Sequence, residues 1–167
     1  ENDASLAGLG EAVYGAGASF GRVFYAGLGT GLGGALIVDG EIARNKENFC
    51  IGDVVIKEAG GRILRELVSG SAIYGASKDM YKIIDRQKFT ALTPILAIGL
   101  QHVIEKFKPE VLVLGGSLLN DENGFRLQEI KSELVKINKN NLPEIKMSIL
   151  GDDNGLWGAL AMAEKNL

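Results

Sequence analysis

The chain of 167 residues is 46% hydrophobic and 23% charged, enough for one domain with a real core and too short to expect two. Its net charge of −3 and pI near 5.3 leave no basic footprint for nucleic acid, and no lysine block interleaves with aromatics. The longest apolar stretch, around Leu92 to Leu100, is too short to span a bilayer, and no charged start followed by an apolar core marks a signal peptide. The single cysteine, Cys50, excludes an internal disulfide and suits a reducing cytoplasm; between Phe49 and Ile51 it reads as a core thiol rather than a nucleophile. The abrupt start at Glu1-Asn2-Asp3, without an initiator Met, fits a piece of a longer protein.

Ala4 to Ala16 carries Leu6, Leu9 and Val13 at helical spacing, with Asp3 placed as the N-cap. Strands are expected near Arg22 to Ala26, Gly33 to Asp39 and Glu41 to Ala43, the last two joined through Asp39-Gly40, a strong hairpin signal. Between the first two lies the glycine-rich bend Gly27-Leu28-Gly29-Thr30-Gly31. Glycines there let backbone N–H groups approach an anion, and the Thr30 hydroxyl adds a donor, so a phosphorylated ligand competes with a plain tight turn. The bend is neither of the common nucleotide loops: no Lys-Ser/Thr follows, and the next element is a strand, not a helix.

Asn45 to Glu58 is polar and then mixed, with no period that decides its structure. From Gly61 to Asp85, Ile63, Leu64, Leu67, Ile73 and Ile83 suggest helix, interrupted at Ser69-Gly70. A second helix, about Thr93 to Phe107, shows a broad apolar face and stops before Pro109. Val111 to Leu114 is a strand apolar on both faces, closed by Gly115-Gly116. A helix near Phe125 to Ile137, a strand near Ile145 to Ile149 and a helix from Gly155 to Glu164 complete the order. A three-strand antiparallel meander extended by parallel strands and flanked by helices is an α/β layout of the ribonuclease-H-like type. His102, mid-helix, fits a surface or packing role.

The opening ENDASLAGLGE, the loop GLGTGLGGALIVDGEI, then LVSGSAI, VLVLGGSLL and GDDNGLWGALAMA, in this order from Glu1 to Ala163, resemble the ROK (repressor, open reading frame, kinase) family of sugar kinases. The resemblance implies an actin-like ATPase, hexokinase-type lobe: the carboxy-terminal one, with the amino-terminal lobe outside this chain. It implies an ATP- and Mg2+-dependent transfer of phosphate to a hexose, glucose first among them, in the cytoplasm and in a homo-oligomer. The Asn-Asp pair that meets the sugar falls on Asn2 and Asp3, with Asp3 as base; the phosphate loop falls on Gly29, Thr30 and Gly31, and the loop flanking adenosine on Gly115 and Gly116.

Departures from the family pattern carry expectations of their own. Gly52-Asp53 stands where the family has Gly-Glu, Ile56 where it has His, and no cysteine-rich zinc loop fits after it, so no structural zinc is expected. The later sugar-binding Glu falls near Arg65 or Glu66, and Glu66 has the matching chemistry. Asp53 and Glu66 therefore join Asn2 and Asp3 as sugar-site candidates. A non-catalytic sugar-responsive repressor or sensor of the same family, or a domain that has lost its ligands, are the other readings.

Overall fold

Helix α1 (Asp3–Val13) begins where Asn2, in extended backbone (φ −84°, ψ 163°), accepts a hydrogen bond on Oδ1 from the Ser5 N–H at 2.8 Å. Asn2 is therefore the cap expected of Asp3. Its side chain supplies as good an acceptor one residue earlier, and Asp3 becomes the first helical residue, facing the positive end of the helix dipole. The computed structural model describes residues 2–43, 50–75, 86–120, 122–139 and 141–165.

Strands β1 (Arg22–Leu28) and β2 (Leu32–Val38) pair antiparallel in a register that reaches Leu28 and Leu32, so the glycine-rich bend shrinks to Gly29-Thr30-Gly31. The Gly29 N–H closes it by donating to the Gly31 carbonyl at 3.0 Å. Asp39 (φ 49°) and Gly40 (φ 71°) both take left-handed backbone, the primed turn that suits a hairpin, and lead to β3 (Glu41–Ile42).

The helix expected from Gly61 is replaced by smaller pieces. Gly60 and Gly61, at φ 72° and 78°, form a turn no helix can contain, and it joins β4 (Val55–Ile56) to β5 (Arg62–Ile63) as a separate ribbon. Helix α2 (Arg65–Val68) and helix α3 (Gly70–Tyr74) follow, separated at Ser69, whose Oγ caps α3 by accepting from the Ala72 N–H. Part of the undecided stretch is 3-10 turn, Ile51–Asp53 and Lys57–Ala59. The rest of these two readings, at 44–49 and 76–85, lies outside the described residues.

Helix α4 (Arg86–Phe107) starts well before Thr93, where the sequence pattern places its start, and holds Pro94 in its interior. Lys108 at φ 46° and Pro109 end it. Strand β6 (Val111–Gly115) is buried throughout. Phe125 belongs not to the next helix but to the core, edge-on to Phe89 at 5.0 Å, and α5 (Leu127–Ile137) begins after it. Strand β7 (Glu144–Met147) and helix α6 (Asn154–Glu164) complete the chain.

The main sheet runs β3-β2-β1-β6-β7, with β1–β6 and β6–β7 parallel and the rest antiparallel, as the meander-plus-parallel reading requires. Strand alternation sorts its side chains into two cores. Val23, Tyr25, Ala35, Ile37, Val111 and Val113 face α1 and α6; Phe24, Ala26, Leu28, Leu36, Leu112 and Leu114 face α4, α5 and the short elements. Helices thus cover both faces, and the carboxyl ends of the parallel β1 and β6 are left as the sheet's open edge. No described helix is long and apolar enough to cross a membrane.

Candidate active site

Parallel pairing puts Gly27 beside Gly115, so the bends that follow β1 and β6 adjoin. The Leu118 N–H donates to the Leu28 carbonyl at 3.0 Å, tying one bend to the other. Gly116 sits at φ 104°, and a Cβ built on it would lie 2.2 Å from the Leu28 oxygen, so only glycine lets the two strand ends come this close. Gly31 has no atom within 4 Å of a built Cβ, and Gly29 only the Ser117 Oγ at 3.8 Å. Bare backbone therefore borders open space here, which is the room a phosphate needs.

The phosphate-loop candidate also rests on α3. The Gly70 N–H donates to the Gly29 carbonyl at 2.8 Å, and the Ser71 N–H and Oγ donate to the Thr30 carbonyl at 3.0 and 2.9 Å. The LVSGSAI segment is thus a platform under the bend, with Gly70 where a Cβ would meet the Gly29 oxygen at 2.8 Å.

Asn2, Asp3, Gly29, Gly31, Gly115 and Gly116 line one open cleft of about 1360 Å³. Asp3 is exposed at the start of α1, whose first turn packs on β2 where a Cβ on Gly33 would be 3.0 Å from Ala4. Thr30 and Glu66 border a smaller neighbouring cavity with Arg62 and Ser71. Asp53 and Glu66 do not line the larger cleft: Asp53 is ion-paired with Arg65, and Glu66 lies 4.0 Å from Arg62. Cys50, expected in the core, is half-buried in the cleft wall, its thiol donating to the Leu32 carbonyl at 3.5 Å, while Ile51 after it is fully buried. His102 is exposed on α4, its ring nitrogen 2.9 Å from the Ile98 carbonyl.

Two residues that position this cleft, Glu11 and Tyr25, escaped the sequence reading, and a third, Arg65, is named there only as the neighbour of Glu66. Glu11 is fully buried and accepts from the Ser148 Oγ and from the Ile149, Leu150 and Ala16 N–H groups, joining α1 to the loop after β7. Tyr25 lies under the Gly115 turn, its hydroxyl accepting from Asn154 Nδ2 at 3.1 Å; burial raises its pKa above the ordinary tyrosine value, the Asn154 hydrogen bond opposes that rise, and the charge of Glu11 adds to it. Arg65 is the third, and it lines the cleft and the smaller cavity alike. The only clue to Glu11 was a carboxylate set among the apolar and glycine residues of the second half of α1.

A model of the ROK family matches residues 74–166, more than half of the chain. The chain belongs to the ROK family. An uncharacterized protein of Clostridium perfringens strain 13 is 28% identical over 188 residues, covering 99% of this ROK chain and 63% of the relative. The ROK hexokinase of Thermus thermophilus shares the fold with a TM-score of 0.78 at 22% identity, covering 100% of this chain and 66% of its own. The inorganic polyphosphate/ATP-glucomannokinase of Arthrobacter sp. strain KM is 28% identical with a TM-score of 0.65, covering 99% and 56%. A ROK transcriptional regulator, a homolog of the E. coli MLC protein, has the same fold at 17% identity and a TM-score of 0.69, covering 98% and 50%. The chain thus has the hexokinase-type, actin-like ATPase fold and spans between half and two thirds of these proteins.

A nucleotide fits what the cleft offers: glycine backbone with space in front of it at Gly29 and Gly31, and a second glycine turn at Gly115-Gly116. Among the described residues, the carboxylates lining the cleft are Asp3 and Asp152, and Asp152 could hold Mg2+.

Proposed function

We propose that the complete ROK protein transfers a phosphoryl group from ATP to a hydroxyl of a hexose of the glucose type, with Asp3 as the base. One observation carries the reading: Asp3 and both glycine turns line a single cleft at the carboxyl ends of β1 and β6. Gly29 to Gly31 would take the phosphates and Gly115-Gly116 the adenosine side, while Mg2+ supplies neutralisation of phosphate charge. A sugar hydroxyl is a poor nucleophile. The Asp3 carboxylate accepts its proton as the new O–P bond forms and the γ-phosphorus parts from its bridging oxygen, releasing ADP, and it is free to do so because Asn2, not Asp3, caps the helix.

The remaining wall of the cleft would come from the part of the relatives that this chain does not span, with this chain as the carboxy-terminal lobe. The hexokinase and glucomannokinase similarities support the phosphotransferase. The regulator similarity, together with Ile56 where the family pattern has His, supports a sensor as the second reading. A coupled assay on the complete protein separates them. Asp3→Asn is expected to lower kcat about 100-fold or more with unchanged melting. Sugar binding without turnover by the wild type would favour the sensor, and near wild-type turnover by the variant would remove Asp3 from the chemistry.

A further inference from the structure

Helix α1 carries Asp3 at its start and the fully buried Glu11 about two turns further on. Glu11 ties the helix to another wall of the cleft. Its Oε1 accepts from the Ile149 and Leu150 N–H groups at 3.1 and 2.9 Å and from the Ser148 hydroxyl, while Oε2 accepts from the Ala16 N–H at 2.9 Å. Residues 148–150 open a segment running to Asn154, of which Ser148, Gly151, Asp152 and Asn154 line the cleft. Its other end rests on the same helix: a Cβ on Gly10 would lie 2.3 Å from the Asn154 oxygen, and Asn154 Nδ2 donates to the Tyr25 hydroxyl. The middle is the 3-10 turn Gly151–Asp153, exposed throughout. The segment is thus held against α1 at both ends and borders the cleft between them.

The Ser148 N–H donates to the Leu114 carbonyl at 2.7 Å, which sets the segment beside the Gly115-Gly116 turn. Three donors meet at one Glu11 oxygen and a fourth at the other. A carboxylate accepts on both oxygens, whereas an amide accepts on one side and donates from the other, so wherever it turned a donor would face a donor. The anchor therefore requires a carboxylate. We infer that Glu11 is a positioning residue for the nucleotide: through residues 148–150 it holds the wall beside Gly115-Gly116 in register with α1, the helix that presents Asp3. Asp3 keeps its own place without this anchor, because Asn2 caps the helix at the other end and the first turn packs on β2. Losing the anchor loosens the hold on ATP and spares the base.

The inference rests on the sugar-kinase reading, and its test keeps the two apart. With the complete protein, kcat and the KM values for Mg-ATP and for glucose are measured in wild type, Glu11→Gln, Glu11→Asp and Leu9→Ala. Leu9 is buried on the same helix, so its truncation removes core packing and none of these hydrogen bonds. Glu11→Gln should raise KM for Mg-ATP about 10-fold, the range of one hydrogen bond to a charged group, with kcat and the KM for glucose little changed. Glu11→Asp keeps both acceptors and shortens their reach; it should raise the same KM in part, and it carries the test if Glu11→Gln fails to fold. Leu9→Ala should lower the melting temperature and leave KM for Mg-ATP as in wild type. An unchanged KM in the Glu11 variants, or an equal rise in Leu9→Ala, overturns the assignment. If glucose is not phosphorylated at all, the kinase reading fails alone; calorimetric titration with Mg-ATP then shows either the loss of affinity in the Glu11 variants, which upholds the inference, or no such loss, which overturns it.

Discussion

On the α1–α6 side of the sheet, contact is backbone against backbone: a Cβ on Gly158 would lie 1.9 Å from the Leu6 oxygen, and one on Gly10 2.3 Å from the Asn154 oxygen. The cleft wall on the other side is assembled from the 3-10 turn Ile51–Asp53, the two-residue strands β4 and β5 and the short helix α2, with exposed Arg65–Asp53 and Arg62–Glu66 pairs at its rim. The first region presents Asp3 and the Gly115 turn; the second presents Arg65. A platform whose backbones touch gains from rigidity, whereas a wall of short elements can change residue by residue without disturbing it.

Glu11 is the sharpest test of that contrast. Its buried carboxylate satisfies the N–H groups of Ala16, Ile149 and Leu150 and the Ser148 hydroxyl. Glu11→Ala should cost about 3–5 kcal/mol, because donors are left without an acceptor around a vacated polar site. Urea unfolding measures it, and a loss below about 1 kcal/mol would make this side no more firmly held than the other.

Gly70 is where the second region borrows the method of the first. A Cβ there would meet the Gly29 oxygen at 2.8 Å and Thr30 Cα at 3.0 Å, both backbone atoms of the phosphate-loop candidate. Gly70→Ala should cost about 1–3 kcal/mol by overpacking. Displacing the bend should also raise KM for ATP more than it lowers kcat. An unchanged KM would separate the α3 platform from the phosphates.

The regular half of the molecule was legible in the sequence because its signals are local. Val111 to Leu114 reads as a two-sided strand, Asp39-Gly40 as a hairpin, and the spacing of Ile95, Leu100, Val103 and Phe107 as a helix face. The small elements around Gly60-Gly61 were misread as helix, since Ile63, Leu64 and Leu67 have helical spacing while the positive φ of two adjacent glycines is set by the ribbon they close. At the cleft, the glycine turns and the Asn2-Asp3 pair could be found from pattern. Glu11 could not, and Arg65 was named only as the neighbour of Glu66, because their partners lie at 148–150 and at Asp53, beyond any local period.

Tyr25 tests the floor of the rigid side. Burial keeps its phenol protonated above the ordinary value near 10, so the folded state holds a proton that the unfolded chain has released. This contribution is fully present below about pH 10 and is lost as pH rises through the raised native value. Tyr25→Phe should cost about 1 kcal/mol at pH 7 for the Asn154 hydrogen bond and flatten the alkaline loss. Urea midpoints from neutral to alkaline pH compare the two proteins. Equal slopes would mean that the phenol ionises as easily folded as unfolded.

The smallest effect is expected at Arg62, on the adjustable side. Its Nε lies 4.0 Å from Glu66 Oε2 with the two side chains 57% and 54% exposed, so water competes for both charges. Its Nη2 also donates to the Glu66 carbonyl at 2.7 Å, which serves one exposed backbone group at the end of a helix of 4 residues. Surface pairs at this spacing contribute about 0.3–0.5 kcal/mol, and salt screens them further. Arg62→Ala should therefore shift stability by no more than about 0.5 kcal/mol, and less in high salt. A loss near that expected of Glu11→Ala would show that the ribbon and α2 are as firmly built as the α1–α6 side, and the division between a rigid platform and an adjustable wall would fall.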